Sequence, residues 1–129
     1  MDWTTALIDA TAIHAIYGDS TPQLQAVSMH EVFLKRDGPQ LTLRMDLAEY
    51  PSPPPRKWAA QGFDTVQIQI DLFGLQSVRL ENFSTTIIGD LIITREGGAI
   101  STRFDSRQMK LQAVSDFAIL AKISAYATE

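Results

Sequence analysis

From Leu24 onward, apolar and polar residues alternate with a period of two, and glycine-bearing dipeptides interrupt the alternation at intervals that suit a hairpin. Successive side chains of a strand point to opposite faces, so each interruption fixes a register that counting can check. With Asp37-Gly38 as a two-residue turn, Leu34 opposes Leu41 and Val32 opposes Leu43 on one face, while Glu31 meets Arg44 and Phe33 meets Thr42 on the other. With Gly97-Gly98 as the turn, Leu91 opposes Phe104, Ile93 opposes Thr102 and Arg95 opposes Ile100. Two further hairpins need three-residue connections. Val66, Ile68, Ile70 and Leu72 match Val78 and Leu80 across Phe73-Gly74-Leu75, where Gly74 supplies the positive φ of a bulged loop. Met109, Leu111 and Ala113 match Phe117, Ile119 and Ala121 across Val114-Ser115-Asp116, and the last strand runs on through Ile123 and Ala125. The expectation is a mainly β (α+β) fold: about eight antiparallel strands in successive hairpins, forming a curled sheet, sandwich or open barrel. Counting leaves the strand order open.

One short helix precedes the strands. Asp9 can cap a segment from Ala10 to Tyr17, and Gly18 can close it. Ile8 and Ile13 occupy the positions of a hydrophobic staple, and Ile13, Ile16 and Tyr17 form a stripe able to cover the sheet. A start nearer Thr4 is the other reading. Nothing later in the chain has a convincing helical period. Residues 1–129 therefore read as a single domain, with no repeat and no linker.

Composition narrows the function classes. Eleven Lys and Arg against fifteen Asp and Glu leave a formal charge of −4, which provides no global field for nucleic acid or an anionic membrane. The absence of cysteine excludes a thiol nucleophile, a disulfide framework and a Cys-ligated metal. No apolar run approaches the roughly 20 residues of a spanning helix, and Asp2 stands where a secretory signal carries a basic residue, so a cytoplasmic site is expected. The only two histidines, His14 and His30, fall on different predicted elements without metal-ligand spacing, and His30 is placed opposite Met45. No serine lies in a nucleophile elbow. Asp46, Asp64, Asp71 and Glu81 sit at strand positions or ends, but their spacing marks no acid–base pair, and alternation explains Asp71 and Glu81 as solvent-facing. Gly97-Gly98 opens no helix and so is a turn rather than a phosphate loop. Arg103, Arg107 and Lys110 lack interleaved stacking aromatics, since Phe104 falls in the core. No catalytic residue, cofactor or metal is expected.

The most individual segment is Tyr50-Pro51-Ser52-Pro53-Pro54-Pro55-Arg56-Lys57-Trp58. Three successive prolines stiffen an extended connection, and Trp58 either presents an aromatic surface to a partner or docks on the core; the anchor role is the favoured one.

The order of these features carries a resemblance. Trp3, Ala15-Ile16-Tyr17-Gly18, Pro22, Leu24, His30-Glu31-Val32, Arg36-Asp37-Gly38-Pro39, Leu41-Thr42-Leu43-Arg44, Tyr50-Pro51, Pro54-Pro55-Arg56-Lys57-Trp58 and Gly62-Phe63-Asp64-Thr65-Val66-Gln67 follow one another over most of the chain. This pattern resembles the immunity protein 50 family of bacterial polymorphic toxin systems. Its most specific part is the first two-thirds, especially the Pro-Pro-x-Lys-Trp segment at 54–58; the last hairpins match only in hydrophobic pattern, ending in Ser124-Ala125-Tyr126. The resemblance implies a cytoplasmic protein that binds and silences a cognate toxin domain without catalysis. It carries across no catalytic motif. Gly18, Asp37, Gly38, Pro54, Pro55 and Trp58 read as fold determinants. If the toxin presents a basic cleft, Asp46, Glu49, Asp64 and Asp71 are the candidate contacts that would steer association, with Tyr50 as the aromatic contact. The competing class is a small-ligand module or enzyme whose curled sheet encloses a pocket, and a third reading is a homo-oligomer pairing through an edge strand.

Overall fold

A computed structural model describes residues 2–128. It contains six strands, two short helices and an N-terminal 3-10 turn, Trp3–Ala6. The strands are β1 (Val27–Lys35), β2 (Gln40–Asp46), β3 (Thr65–Glu81), β4 (Ile88–Glu96), β5 (Ala99–Ser106) and β6 (Lys110–Tyr126). All pairings are antiparallel, in the order β1-β2-β3-β6-β5-β4. The sheet curls until its two ends meet: β1 pairs with β4 through Val27–Gly89 and Ser28–Ile88.

The two glycine-turn hairpins have the registers that counting requires next to their turns, but Asp37-Gly38 is the middle of a four-residue loop, 36–39, and not a two-residue turn. Across the first, Glu31–Arg44, Val32–Leu43, Phe33–Thr42 and Leu34–Leu41 are partners. Across the second, so are Leu91–Phe104, Ile93–Thr102 and Arg95–Ile100, with Gly97 and Gly98 both at positive φ.

The other two expected hairpins do not exist. Phe73-Gly74-Leu75 lies inside the 17-residue β3, Val114-Ser115-Asp116 lies inside the 17-residue β6, and these two strands pair with each other along their length. Eight expected strands therefore become six. Gly74 has positive φ as expected, but it bends a continuous strand directly opposite Asp116, and a register shift follows between Leu75 and Ser77. Such an irregularity mimics a loop in the sequence because it breaks the period of two while leaving the backbone extended. In β6 it also reassigns a face: Ala118 is buried, and Phe117 points outward.

Smaller corrections have local causes. His30 does not oppose Met45; Met29 does, and His30 is the extra residue of a β-bulge. The first helix, α1 (Thr11–Tyr17), follows an Asp9 carboxylate that accepts from the Thr11 amide at 2.9 Å, and Gly18 closes it by donating to the His14 carbonyl. Ile13 is buried, but Ile8 is 60% exposed and forms no staple, because its backbone amide is drawn to the Ala118 carbonyl of β6. A second helix, α2 (Arg56–Ala60), was not legible: it is five residues long and starts behind Pro55.

The interior is filled. Leu41, Leu43, Met45, Ile68, Ile70, Leu72, Ile100, Phe104, Met109 and Leu111 are all buried in one cluster, against which Trp3, Tyr17, Tyr50 and Trp58 pack from outside. Trp58 thus docks on the core, as the anchor reading expects. Among the described residues no helix is long and apolar enough to cross a membrane.

Candidate functional site

The outward residues of β2, β3 and β6 form the best-organised polar surface of the molecule. Because the strands are antiparallel neighbours, Arg44, Gln69 and Lys122 share one row across the sheet, and Asp46, Gln67 and Ser124 share the next. Asp46 is the hub: its carboxylate accepts from Gln67 Nε2 at 2.9 Å and from the Tyr126 hydroxyl, and it lies 2.9 Å from His30 Nε2. The bulge at His30 is what turns that imidazole toward the end of β2. Arg44 completes the row by donating to Gln67 Oε1 at 3.1 Å and pairing with Glu31 at 3.6 Å.

Tyr126 connects Asp46 to Asp64. Its hydrogen bond to Asp46 pushes the phenol pKa up to about 12, with burial and the Asp46 and Asp64 charges acting in the same direction. Asp64 lies at the mouth of β3, where the Thr128 amide donates to it at 3.0 Å and the Thr65 hydroxyl at 2.7 Å; these bonds hold its carboxyl below the usual range.

Glu49 and Tyr50 lie on the segment between β2 and α2. The Tyr17 hydroxyl of α1 donates to the Glu49 carbonyl at 2.7 Å, and the Gln23 amide donates to the Glu49 carboxylate. Burial, reinforced by the Glu49 charge, pushes the Tyr17 phenol up. The Tyr50 ring tilts against Trp58 with centroids 6.3 Å apart, and its hydroxyl is buried with no hydrogen-bond partner among the described residues.

Of the five acid and aromatic candidates, four therefore gather at one end of the sheet: Asp46, Glu49, Tyr50 and Asp64. Asp71 lies deeper along β3. It is only 9% exposed, so it does not face solvent, and it accepts from Thr42 Oγ1 at 2.8 Å and Gln69 Nε2 at 3.2 Å. His30, Gln67 and Tyr126 were missed by sequence reasoning, since they meet Asp46 only once the sheet order and the bulge are known.

The hollows lined by Arg79, Ile92 and Arg103, of about 330 and 590 Å³, open on the outer face of β3–β6, not into the curled sheet. Among the described residues no three His, Asp or Glu side chains converge as metal ligands.

A family model described as Immunity protein 50 matches residues 9–126, nearly the whole chain. No curated protein and no solved structure matches it.

Proposed function

This chain belongs to the immunity protein 50 family, and from that premise we propose that it binds and neutralises a cognate toxin domain in the cytoplasm of the producing bacterium, without catalysing a reaction. The family match is the observation that carries this reading. The filled interior supports it over a ligand-holding barrel, because the inward side chains leave recognition to the outer face and the loops.

The surface assigned to the toxin is the end of the sheet that carries Asp46, Glu49, Tyr50 and Asp64. Glu49 and Asp64 supply exposed negative charge, and the half-buried Tyr50–Trp58 pair lies beside them. Asp46 and Asp71 act from beneath their hydrogen-bonded partners, adding to the field while holding the face rigid. A toxin with a basic cleft would be steered onto this end, and salt would slow that association.

The experiment is capture from an extract of the producing bacterium on the immobilised protein at low salt, followed by co-expression of the retained toxin-like polypeptide with this chain. The expected result is a polypeptide whose toxicity is abolished by the chain. Glu49→Lys combined with Asp64→Lys is expected to weaken its binding at least tenfold, about 1.4 kcal/mol, at low salt and less at high salt. Unchanged affinity in the double variant would remove this surface from the interface. A retained polypeptide that is not toxic would remove the immunity reading.

A further inference from the structure

The longest exposed stretch of the molecule lies far from that surface. Every residue from 76 to 86 is exposed, although residues 76–81 belong to β3. The cause is topological. On one edge β3 pairs with β6 to its end, but on the other its partner β2 stops at Gln40, opposite Phe73. Beyond the Leu75 amide, which donates to the Pro39 carbonyl, no backbone partner lines that second edge among the described residues. The last six residues of β3 form a free edge with a row of unpaired backbone groups, the arrangement that templates another strand.

The side chains of this edge are not those of a protected one. Val78 and Leu80 lie on the core side of the strand yet are 37% and 47% exposed, whereas their partners on β6, Ala113 and Leu111, are buried. Phe83, just beyond, is 60% exposed. Charged side chains protect an edge best where a copy would set like charge against like. Here Arg79 and Glu81 stand two residues apart with opposite signs on the outer face.

We propose that the free edge of β3 pairs with the same edge of a second copy, making a two-fold symmetric dimer with Leu80 opposite Leu80. Faces and charges select this register. A two-fold antiparallel pairing must centre on a residue if core-side and outer side chains are to stay on their own faces. Centring on Arg79 sets the two guanidiniums against each other, and centring on Val78 sets Leu80 against Gln76 and Arg79 against Ser77. Centring on Leu80 sets Arg79 against Glu81 twice, and it brings both Leu80 and, diagonally, both Val78 side chains into one apolar cluster. In this register Val78 faces Asn82, which lies beyond β3 at φ +64°, so the ladder is confined to residues 79–81 and the dimer is a weak, concentration-dependent one. Because the free edge and the toxin-facing end lie at opposite ends of β3, on the order of 50 Å apart along the strand, the two surfaces can act independently.

The chain has no cysteine, so a single introduced thiol reports its own neighbour. Residues 76–81 are substituted by cysteine one at a time in the 129-residue chain and oxidised, and the mass of the unmodified chain is followed by sedimentation as concentration rises. The expected result is a mass moving toward twice 14.3 kDa, with disulfide-linked dimer peaking at Leu80→Cys. Arg79→Glu and Glu81→Arg should each raise the dissociation constant at least tenfold, and the doubly swapped Arg79→Glu/Glu81→Arg chain should restore it. Circular dichroism confirms that each variant is folded. A monomer at every concentration, or crosslinking that peaks at another position, overturns the proposal. So does a monomer whose Leu80→Lys variant loses toxin binding, which would assign the edge to the toxin. Apart from that toxin-binding outcome, which rests on the proposed function, none of these results depends on the family function.

Discussion

Tyr126 and Asp46 stand 80 residues apart and share a proton-bearing contact that makes stability depend on alkaline pH. Ionising Tyr126 would destroy its hydrogen bond and set a phenolate beside a carboxylate, which is why its pKa rises to about 12. In the unfolded chain a tyrosine titrates near pH 10, so the unfolded state loses this proton first. The contribution is whole below about pH 10 and is lost as pH climbs toward 12. Denaturant midpoints of the wild-type chain should therefore fall more steeply over that interval than those of Tyr126→Phe, which retains the ring and lacks the proton. Parallel curves would mean that the contact carries no pH-linked stability. At this scale the sequence was legible for single roles. Gly18 closes a helix, the Asp37-Gly38 pair turns a hairpin and Trp58 anchors a connection. It was illegible for partnerships such as His30 with Asp46, because a bulge one residue long redirects the histidine and nothing in a single sequence marks where that residue is inserted.

The elements divide by how local their causes are. Both glycine-turn hairpins were readable in register next to their turns, since turn chemistry and alternation act within a dozen positions of one another, and the first was lost only beyond the bulge at His30. The long strands were not, since Gly74 and the shift beside it interrupt the alternation just as a short loop would. What separates the two is the pairing of β3 with β6, from Glu81–Lys110 to Thr65–Tyr126, a tertiary fact. Gly74 remains a sharp test of the continuous strand. At φ +64° a side chain costs about 1–2 kcal/mol, and an added Cβ would lie 2.2 Å from the Asp116 carboxylate oxygen of β6. Gly74→Ala should lower unfolding free energy by at least about 1 kcal/mol, and Asp116→Ala in the same chain should recover part of the loss. Recovery of nothing in the double-mutant cycle would place Asp116 away from residue 74, as a hairpin loop at 73–75 would.

The whole molecule is closed by its narrowest contact, the seam between β1 and β4. Two residue pairs join the strands there, and the seam is lengthened by the Leu91 amide donating to the Leu24 carbonyl and the Met29 amide to the Ile87 carbonyl, each at 2.8 Å. Asp90 reinforces it by accepting from the Ala26 amide at 2.9 Å, which helps hold Ala26 at positive φ. Gly89 lies at the centre, between Val27 on one side and Ser106 on the other. A Cβ added to it would stand 2.3 Å from the Asp105 carbonyl oxygen, a backbone atom that can retreat only if β5 moves. Gly89→Ala should then cost about 1–3 kcal/mol, the usual scale of overpacking. The loss should be uneven. Cooperative units open at their weakest boundary first, so amide exchange should quicken most at Met29 and Leu91 and least in the buried middle of β3, at Ile68 and Ile70. Uniform acceleration would instead mean that the sheet opens as one unit and that closure is no weaker than the ladders it joins. An uneven result would give the end of the sheet proposed for toxin binding a mechanical basis: Asp46, Gln67 and Tyr126 sit on β2, β3 and β6, the side of the sheet away from the seam, where those side chains can be held rigid while the seam opens and closes.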